Sequence, residues 1–196
     1  MSPNDLQLDQ LLRYLALLQK WNKAYNLTAV RSPEDMVTRH ILDSLVVSEH
    51  LHGQRIIDVG TGAGLPGIPL AIINPDRDFH LLDSNGKKTR FLFQVKTELG
   101  LANITGHHAR VELFKPDGLF DLVLSRAFAS LKDMVISCQH LLTTEGCYLA
   151  MKGAISEQEL LQVATVCGVA KVSELTVPSL DEQRHLIKLI NHSTNK

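Results

Sequence analysis

The sequence predicts an α/β fold: a mostly parallel seven-stranded sheet that ends in an antiparallel hairpin and follows an N-terminal helical extension. Three observations carry that reading. Ile56, Ile57 and Val59 form a short β-branched run without helical period, as expected of a strand buried on both faces. Gly60, Gly62, Gly64 and Gly67 then crowd into eight positions, where a backbone turns sharply and leaves room for a ligand before a helix begins. From there strand-like and helix-like stretches alternate, until the last two apolar runs stand too close together to enclose a helix. At 196 residues, residues 1–196 read as one domain with 1–52 as its helical extension. A chain of this length buries roughly 70% of its unfolded surface, enough for a core without a metal or disulfide.

In chain order, Ser2-Pro3-Asn4-Asp5 reads as a helix start with Ser2 as cap. Leu8, Leu11, Leu12, Leu15, Leu18 and Trp21 then recur at helical spacing and predict an apolar face. Trp21 to Thr28 lacks a period and reads as a partly ordered connection. Ser32-Pro33-Glu34-Asp35 starts a second helical region, in which His40 and Asp43, three apart, are expected to bond each other. After the glycine loop, with Pro66 at the first helical position, strands are expected at Phe79–Leu82, Asn103–His107, Phe120–Ser125 and Gly146–Met151. Helices are expected at Lys87–Leu99, closed by Gly100, at Leu131–Leu142, and at Ser156–Val166. These make five βα units. Ala170–Val177 and His185–Asn191 form the closing hairpin around the loop Pro178–Arg184.

Composition narrows the function classes. The net charge is -1, so a nucleic-acid partner must rely on a local patch. Cys138, Cys147 and Cys167 are far apart and odd in number, which predicts neither a disulfide framework nor a zinc site and suits a reducing cytoplasm. No apolar run reaches the roughly 18 residues of a membrane span and no signal peptide is evident, so a soluble, cytoplasmic protein without a membrane partner is expected, working as a monomer. The nine histidines show no ligand spacing, and no metal is expected.

Ligands of open α/β sheets bind outside the carboxyl ends of the strands. Asp58, Asp83, His107, His108, Ser125, Arg126 and Lys152 all stand at such ends. Gly62-x-Gly64-x-x-Gly67 also fits the dinucleotide fingerprint. Against a pyrophosphate, Asp58 brings negative charge to the loop and Pro66 lacks an amide hydrogen that a phosphate would use. Asp83, about twenty residues beyond the loop, suits ribose hydroxyls in the first place and a strand-end turn in the second, with Ser84 beside it. Val111 and Glu112 stand where an adenine edge would pass, or in a solvated loop. Arg126 follows an apolar strand and can present its planar fork to a carboxylate or phosphate, or make a surface ion pair. Lys87, Lys88 and Arg90 open a helix whose dipole gains nothing from positive charge, which reads as a solvated face or as a contact for an outside anion such as RNA, with Lys152 a further candidate. No nucleophile motif surrounds any Ser or Cys.

Asp58-Val59-Gly60-Thr61-Gly62 resembles the D/E-x-G-x-G loop of class I S-adenosylmethionine-dependent methyltransferases. Adding Trp21–Thr28, Arg39–Leu45, Leu82–Ser84 with Lys87–Leu92, and Ser125–Leu131, nearly the whole chain resembles the bacterial small-subunit ribosomal RNA guanine-N7 methyltransferases, the glucose-inhibited division protein B family. The resemblance implies the class I Rossmann-like fold, S-adenosylmethionine as donor with S-adenosylhomocysteine as product, and N7 of one guanine in 16S rRNA of the small ribosomal subunit as acceptor, giving 7-methylguanosine. It implies cofactor contacts at Gly60, Leu65, Val111, Glu112 and Arg126, to which the loop reading adds Asp58, Gly62, Gly64, Asp83 and Ser84. Guanine N7 carries a lone pair and no proton, so no acid or base is expected, only positioning, with Arg126 among the positioning groups. The rival expectation is a non-catalytic protein that binds the same cofactor and RNA as a sensor.

Overall fold

The structure, a computed structural model, describes residues 3–126 and 128–191. Helix α1 (Asp5–Tyr25) is capped by Asn4, whose side chain accepts from the Gln7 amide while Gln7 reaches back to the Asn4 amide. The expected cap, Ser2, lies outside the described residues. The connection expected after Trp21 is instead helix through Tyr25, ended by Asn26 in the left-handed conformation. Leu8 and Leu12 are corrected too, at 50% and 57% exposed; the buried stripe is Leu11, Tyr14, Leu15 and Leu18. The reason is visible in the polar residues. Gln7 and Gln10 bond the carbonyls of Ile72 and Leu99, and Arg13 that of Glu98, so α1 is rotated to serve the open ends of two other helices.

Ser32 caps α2 (Pro33–Met36) as expected, and the helix continues as a π segment (Val37–Leu42) and α3 (Asp43–Leu45). A 3₁₀ turn (Ser48–His50) leads into β1 (Arg55–Val59). The core units follow as α4 (Gly67–Ile73), β2 (Asp78–Asp83), α5 (Gly86–Leu99), β3 (Ile104–His108), β4 (Phe120–Ser125), α6 (Leu131–Cys138), β5 (Leu142–Lys152), α7 (Glu157–Val163), β6 (Gly168–Glu174) and β7 (His185–Ile190). Pro66 sits one position ahead of its expected place, before α4 rather than first in it. After β3 comes only a 3₁₀ turn (Val111–Leu113), so four βα units carry helices, not five.

The sheet order is β3-β2-β1-β4-β5-β7-β6, with β7 antiparallel to both of its neighbours and the other pairs parallel. The order reverses at β1, between β2 and β4. Side chains alternate across the sheet: Ile56 joins a core with α1, α4 and α5, and Ile57 joins one with α6 and α7. The first core contains Leu11, Leu15 and Leu18 beside sheet residues, so the helical extension packs on the sheet.

A polar chain crosses the edge of the sheet. Asp78 accepts from His80 Nε2 at 2.9 Å, and His80 Nδ1 meets His107 Nε2 at 2.8 Å with the rings nearly parallel. Burial, reinforced by the neighbouring His80, pushes His107 down to about 4. A histidine with a folded-state pKa below its usual 6.5 binds fewer protons folded than unfolded, so its contribution is complete above pH 6.5 and is lost as pH falls toward 4. Urea unfolding at pH 7 and pH 5 is expected to show this loss, and His107→Gln to flatten that part of the profile; an unchanged profile would separate His107 from the acid sensitivity.

Candidate functional site

The loop between β1 and α4 is built around a carboxylate with no exposure at all. Asp58 Oδ2 accepts from Thr61 Oγ1 at 2.7 Å and from the Gly67 amide at 2.9 Å. A side chain at Gly67 would collide with Leu81 and with Asp58 itself, which is why glycine stands there. Gly60, Gly62 and Gly64 have φ of 70°, 62° and 91°, a region other residues enter at a cost. The Gly62 amide donates to Asp83 Oδ2 at 2.8 Å, and those of Gly60 and Thr61 to the Leu82 carbonyl. Burial pushes Asp58 up to about 6, against the hydrogen bonds from Thr61 and Gly67 and the charge of Arg126.

Three cavities lie side by side at the carboxyl ends of the strands. The first, about 360 Å³, is bounded by Val59 and Gly60, by Leu82, Asp83 and Ser84, and by Ala109 to Glu112 with Phe128. The second, about 180 Å³, is reached across Gly60 and is lined by Thr61, Gly62, Ala63 and Leu65 of the loop, with Thr28, Lys88 and Arg126. The third, about 430 Å³, shares Arg126 and is lined by Arg39, His40, Asp43, Met151, Lys152 and Arg184. Gly60 and Arg126 are the shared walls.

Of the expected cofactor contacts, Gly60, Asp83, Ser84, Val111 and Glu112 border the first cavity, and Gly62, Leu65 and Arg126 the second. Asp58 and Gly64 border neither. Asp58 is enclosed by the loop it ties together, and Gly64 packs on Ile68 and Leu92. Asp83 has spent one hydrogen-bonding direction of each oxygen on backbone, Oδ2 on Gly62 and Oδ1 on Asn85. Of the expected RNA contacts, Lys87 and Arg90 are exposed, Arg90 bonding its own helix at the Gly86 carbonyl. Lys88 turns toward the loop, 3.9 Å from Asp83 Oδ2, and Lys152 is held by Glu159 at 3.0 Å and by the carbonyls of Phe128 and Ala129. Neither is therefore a free surface cation.

Arg126 belongs to a buried joint that the sequence did not disclose. Asp43, 2% exposed, accepts from Arg126 Nη1 at 3.0 Å and from Arg184 Nε at 2.9 Å, while Glu182 receives Arg184 and Arg39. The His40 ring does not bond the Asp43 carboxylate; its Nε2 meets Thr28 Oγ1 at 2.9 Å. Arg184, Phe128 and Thr28 were missed as site residues. For Arg184 the one local signal is a basic residue immediately before the last strand, and its partner lies 141 positions away. Among the described residues there is no cluster of three or more His, Cys, Asp or Glu that could hold a metal ion, and no helix is long and apolar enough to cross a membrane.

The donor set fits a molecule with an adenosine part and a zwitterionic amino-acid part. The first cavity offers apolar walls with the carboxylates Asp83 and Glu112, and the second offers Arg126 and Lys88 to a carboxylate. The first helical amide of α4, which a pyrophosphate would need, is taken by Asp58.

Comparison with known proteins agrees with this geometry. Residues 7–187 match the family described as GidB, rRNA small subunit methyltransferase G. The chain is 59% identical over 184 residues to the ribosomal RNA small subunit methyltransferase G of Shewanella amazonensis, covering 94% of this chain and 89% of that protein. It is 56% identical over 190 residues to that of Shewanella halifaxensis, covering 97% and 92%. Among solved structures, the glycopeptide N-methyltransferase MtfA complexed with S-adenosyl-L-homocysteine is similar at a TM-score of 0.67 with 8% identity, covering 78% of this chain and 87% of that one. A SAM dependent methyltransferase from Aquifex aeolicus is similar at a TM-score of 0.63 with 14% identity, covering 80% and 93%. At such identities the likeness is one of fold, the seven-stranded methyltransferase fold that the sequence predicts.

The joint at Asp43 has a measurable consequence. Asp43→Ala removes the buried carboxylate that Arg126 and Arg184 share, leaving Arg184 its pair with Glu182, and unfolding in urea is expected to show a loss of about 3 kcal/mol; a loss below about 0.5 kcal/mol would mean that the joint contributes little to stability.

Proposed function

The chain belongs to the rRNA small subunit methyltransferase G family, and from that premise we propose that it transfers a methyl group from S-adenosylmethionine to N7 of a guanine in 16S rRNA. The observation that carries the reading is the row of three cavities joined at Gly60 and Arg126. In this reading Val111 and Glu112 hold the adenine, Asp83 and Ser84 the ribose, and Gly60, Gly62, Leu65, Lys88 and Arg126 the amino-acid end. Asp58 and Gly64 act behind them by fixing the loop. When bound, S-adenosylmethionine supplies a methyl group on a positively charged sulfur, which keeps the electron pair of the broken bond.

Guanine N7 attacks with its own lone pair and has no proton to lose, so the protein need not supply a base; the positive charge passes to the purine ring. What the side chains contribute is position. Holding two reactants in line lowers a barrier by about 7 to 11 kcal/mol, and the walls that achieve this belong to both ends of the chain. Thr28, Arg39, His40 and Asp43 come from the first 52 residues, which we therefore take as part of the same catalytic domain. Arg39, Arg126 and Arg184 outnumber Asp43 and Glu182, the carboxylates closest to them, which leaves the RNA-facing side positive in a chain of net charge -1, with Lys87 and Arg90 exposed as well. The major groove of A-form RNA is too deep and narrow for N7 to be met there, so the target guanine is reached in a loop or an incompletely assembled particle. We place the reaction in the cytoplasm, with the protein acting as a monomer.

Labelled S-adenosylmethionine incubated with small-subunit rRNA from cells lacking the protein tests the reading: label in 7-methylguanosine at one position supports it, and tight binding without transfer supports a sensor instead. S-adenosylhomocysteine at a hundred times its Kd is expected to raise Tm by roughly 5–10 °C while NAD leaves it unchanged. Arg126→Ala is expected to weaken donor or RNA binding at least tenfold, and full activity in that variant would remove Arg126 from the site.

A further inference from the structure

His40 is 4% exposed and lines the third cavity, yet its Nδ1 has no hydrogen-bond partner. Such a group calls for an explanation, because a buried polar atom left unpaired is a standing cost. The other ring nitrogen indicates what Nδ1 carries. Thr28 Oγ1 accepts from the Val30 amide at 3.2 Å, which leaves its own hydroxyl hydrogen to be donated to His40 Nε2, 2.9 Å away. With Nε2 accepting, a neutral imidazole holds its hydrogen on Nδ1. Burial keeps the ring below the ordinary histidine range, opposed chiefly by the Arg39 backbone, which pulls on the ring from outside hydrogen-bond geometry to Nδ1, so neutral is the form at physiological pH.

The cavity around this donor suits a base. Met151 and Val30 provide apolar surface, and Arg39, Arg126 and Arg184 provide guanidinium planes on which an unpaired base can stack. The cavity adjoins the second one at Arg126, where the proposed methyl donor ends. His40 itself lies in the π segment, a backbone form that recurs at functional sites and here carries both His40 and, at its end, Asp43.

We propose that the third cavity receives the target guanine and that His40 is a specificity-determining residue, donating Nδ1–H to guanine O6. The proposal rests on the guanine-N7 reading above and deepens it. On the edge that carries N7, guanine presents a second acceptor, O6, whereas adenine presents an amino donor at the same place. A fixed donor beside the methyl-transfer point therefore accepts guanine and opposes adenine. Nδ1 is closed to water, so the entering base must displace the side chains that cover it; Arg126 and Arg184, which line the same cavity, are both anchored on Asp43.

The test compares methyl transfer to two synthetic RNAs spanning the modified site, one with guanine and one with 2-aminopurine, which lacks O6, at the target position. The ratio of kcat/KM for the two RNAs cancels the intrinsic difference in N7 reactivity when variants are compared with the wild type. His40→Ala is expected to lower that ratio about tenfold, with His40→Asn, whose amide still donates, recovering part of it and with S-adenosylhomocysteine affinity unchanged by calorimetry. A structural role alone would lower both rates together and leave the ratio intact, which would overturn the proposal. Should His40→Ala fail to bind S-adenosylhomocysteine, Thr28→Val decides: it leaves His40 in place and frees its hydrogen to move to Nε2, so the ratio is expected to fall, and an unchanged ratio would overturn the assignment. Absence of transfer to the guanine RNA by the wild type would instead sink the underlying function, and this inference with it.

Discussion

The architecture of the site depends on one buried carboxylate. Between β1 and α4 the chain reverses within a few residues and must leave space beside its own backbone, so its amides need partners that do not fill that space. Asp58 supplies two such partnerships from below, to the Thr61 hydroxyl and the Gly67 amide. Asp83 and the Leu82 carbonyl supply the others from the end of β2. The loop is thus stitched to two adjacent parallel strands, and the wall at Gly60 separates two cavities with fixed geometry. Asp58 itself remains an uneasy anion: its Oδ1 has no partner and its pKa is raised. Its charge belongs to the loop rather than to a ligand.

A second constraint ties the ends of the chain together. Asp43, from the helical extension, holds Arg126 immediately after β4 and Arg184 immediately before β7. Tyr14 of α1 adds a bond from its hydroxyl to the Ala63 carbonyl in the glycine loop, and Ser125 at the end of β4 donates to the Val59 carbonyl. A segment that reads as an appendage therefore forms one wall of the third cavity. The same arrangement accounts for a charge pattern that composition hides: the guanidinium groups gather on one side of the site although the chain as a whole is nearly neutral.

The fold was largely legible because its signals are local. The caps at Ser32, Asn85, Ser130 and Ser156, and Gly100 at the end of α5, bracket helices close to where periodicity places them. The misreadings share a cause. Leu8 and Leu12 have the spacing of a core stripe, but α1 is oriented by Gln7, Gln10 and Arg13 reaching remote helix ends. Trp21 to Tyr25 lacks an apolar period yet is helical, because Trp21 packs on Phe91 and the buried Asn22 side chain serves the loop that follows. Lys152 has the look of a free cation at a strand end, but Glu159 of α7 waits beside it.

By itself the sequence determined the order and type of the strands and helices, the glycine loop and the family motifs, since these rest on backbone preference, side-chain period and residue identity at short range. It also placed the loop, Asp83 and Arg126 at one end of the sheet, because the topology of a parallel sheet admits few alternatives. Only the tertiary structure decided which charges are spent and which remain. Asp43 belongs to two arginines rather than to His40, Asp58 faces its own loop, and the Nδ1 of His40 has no partner. The physical reason is that pairing between charged and polar groups depends on distances of a few ångströms across elements far apart in the chain, and no spacing along the sequence encodes them.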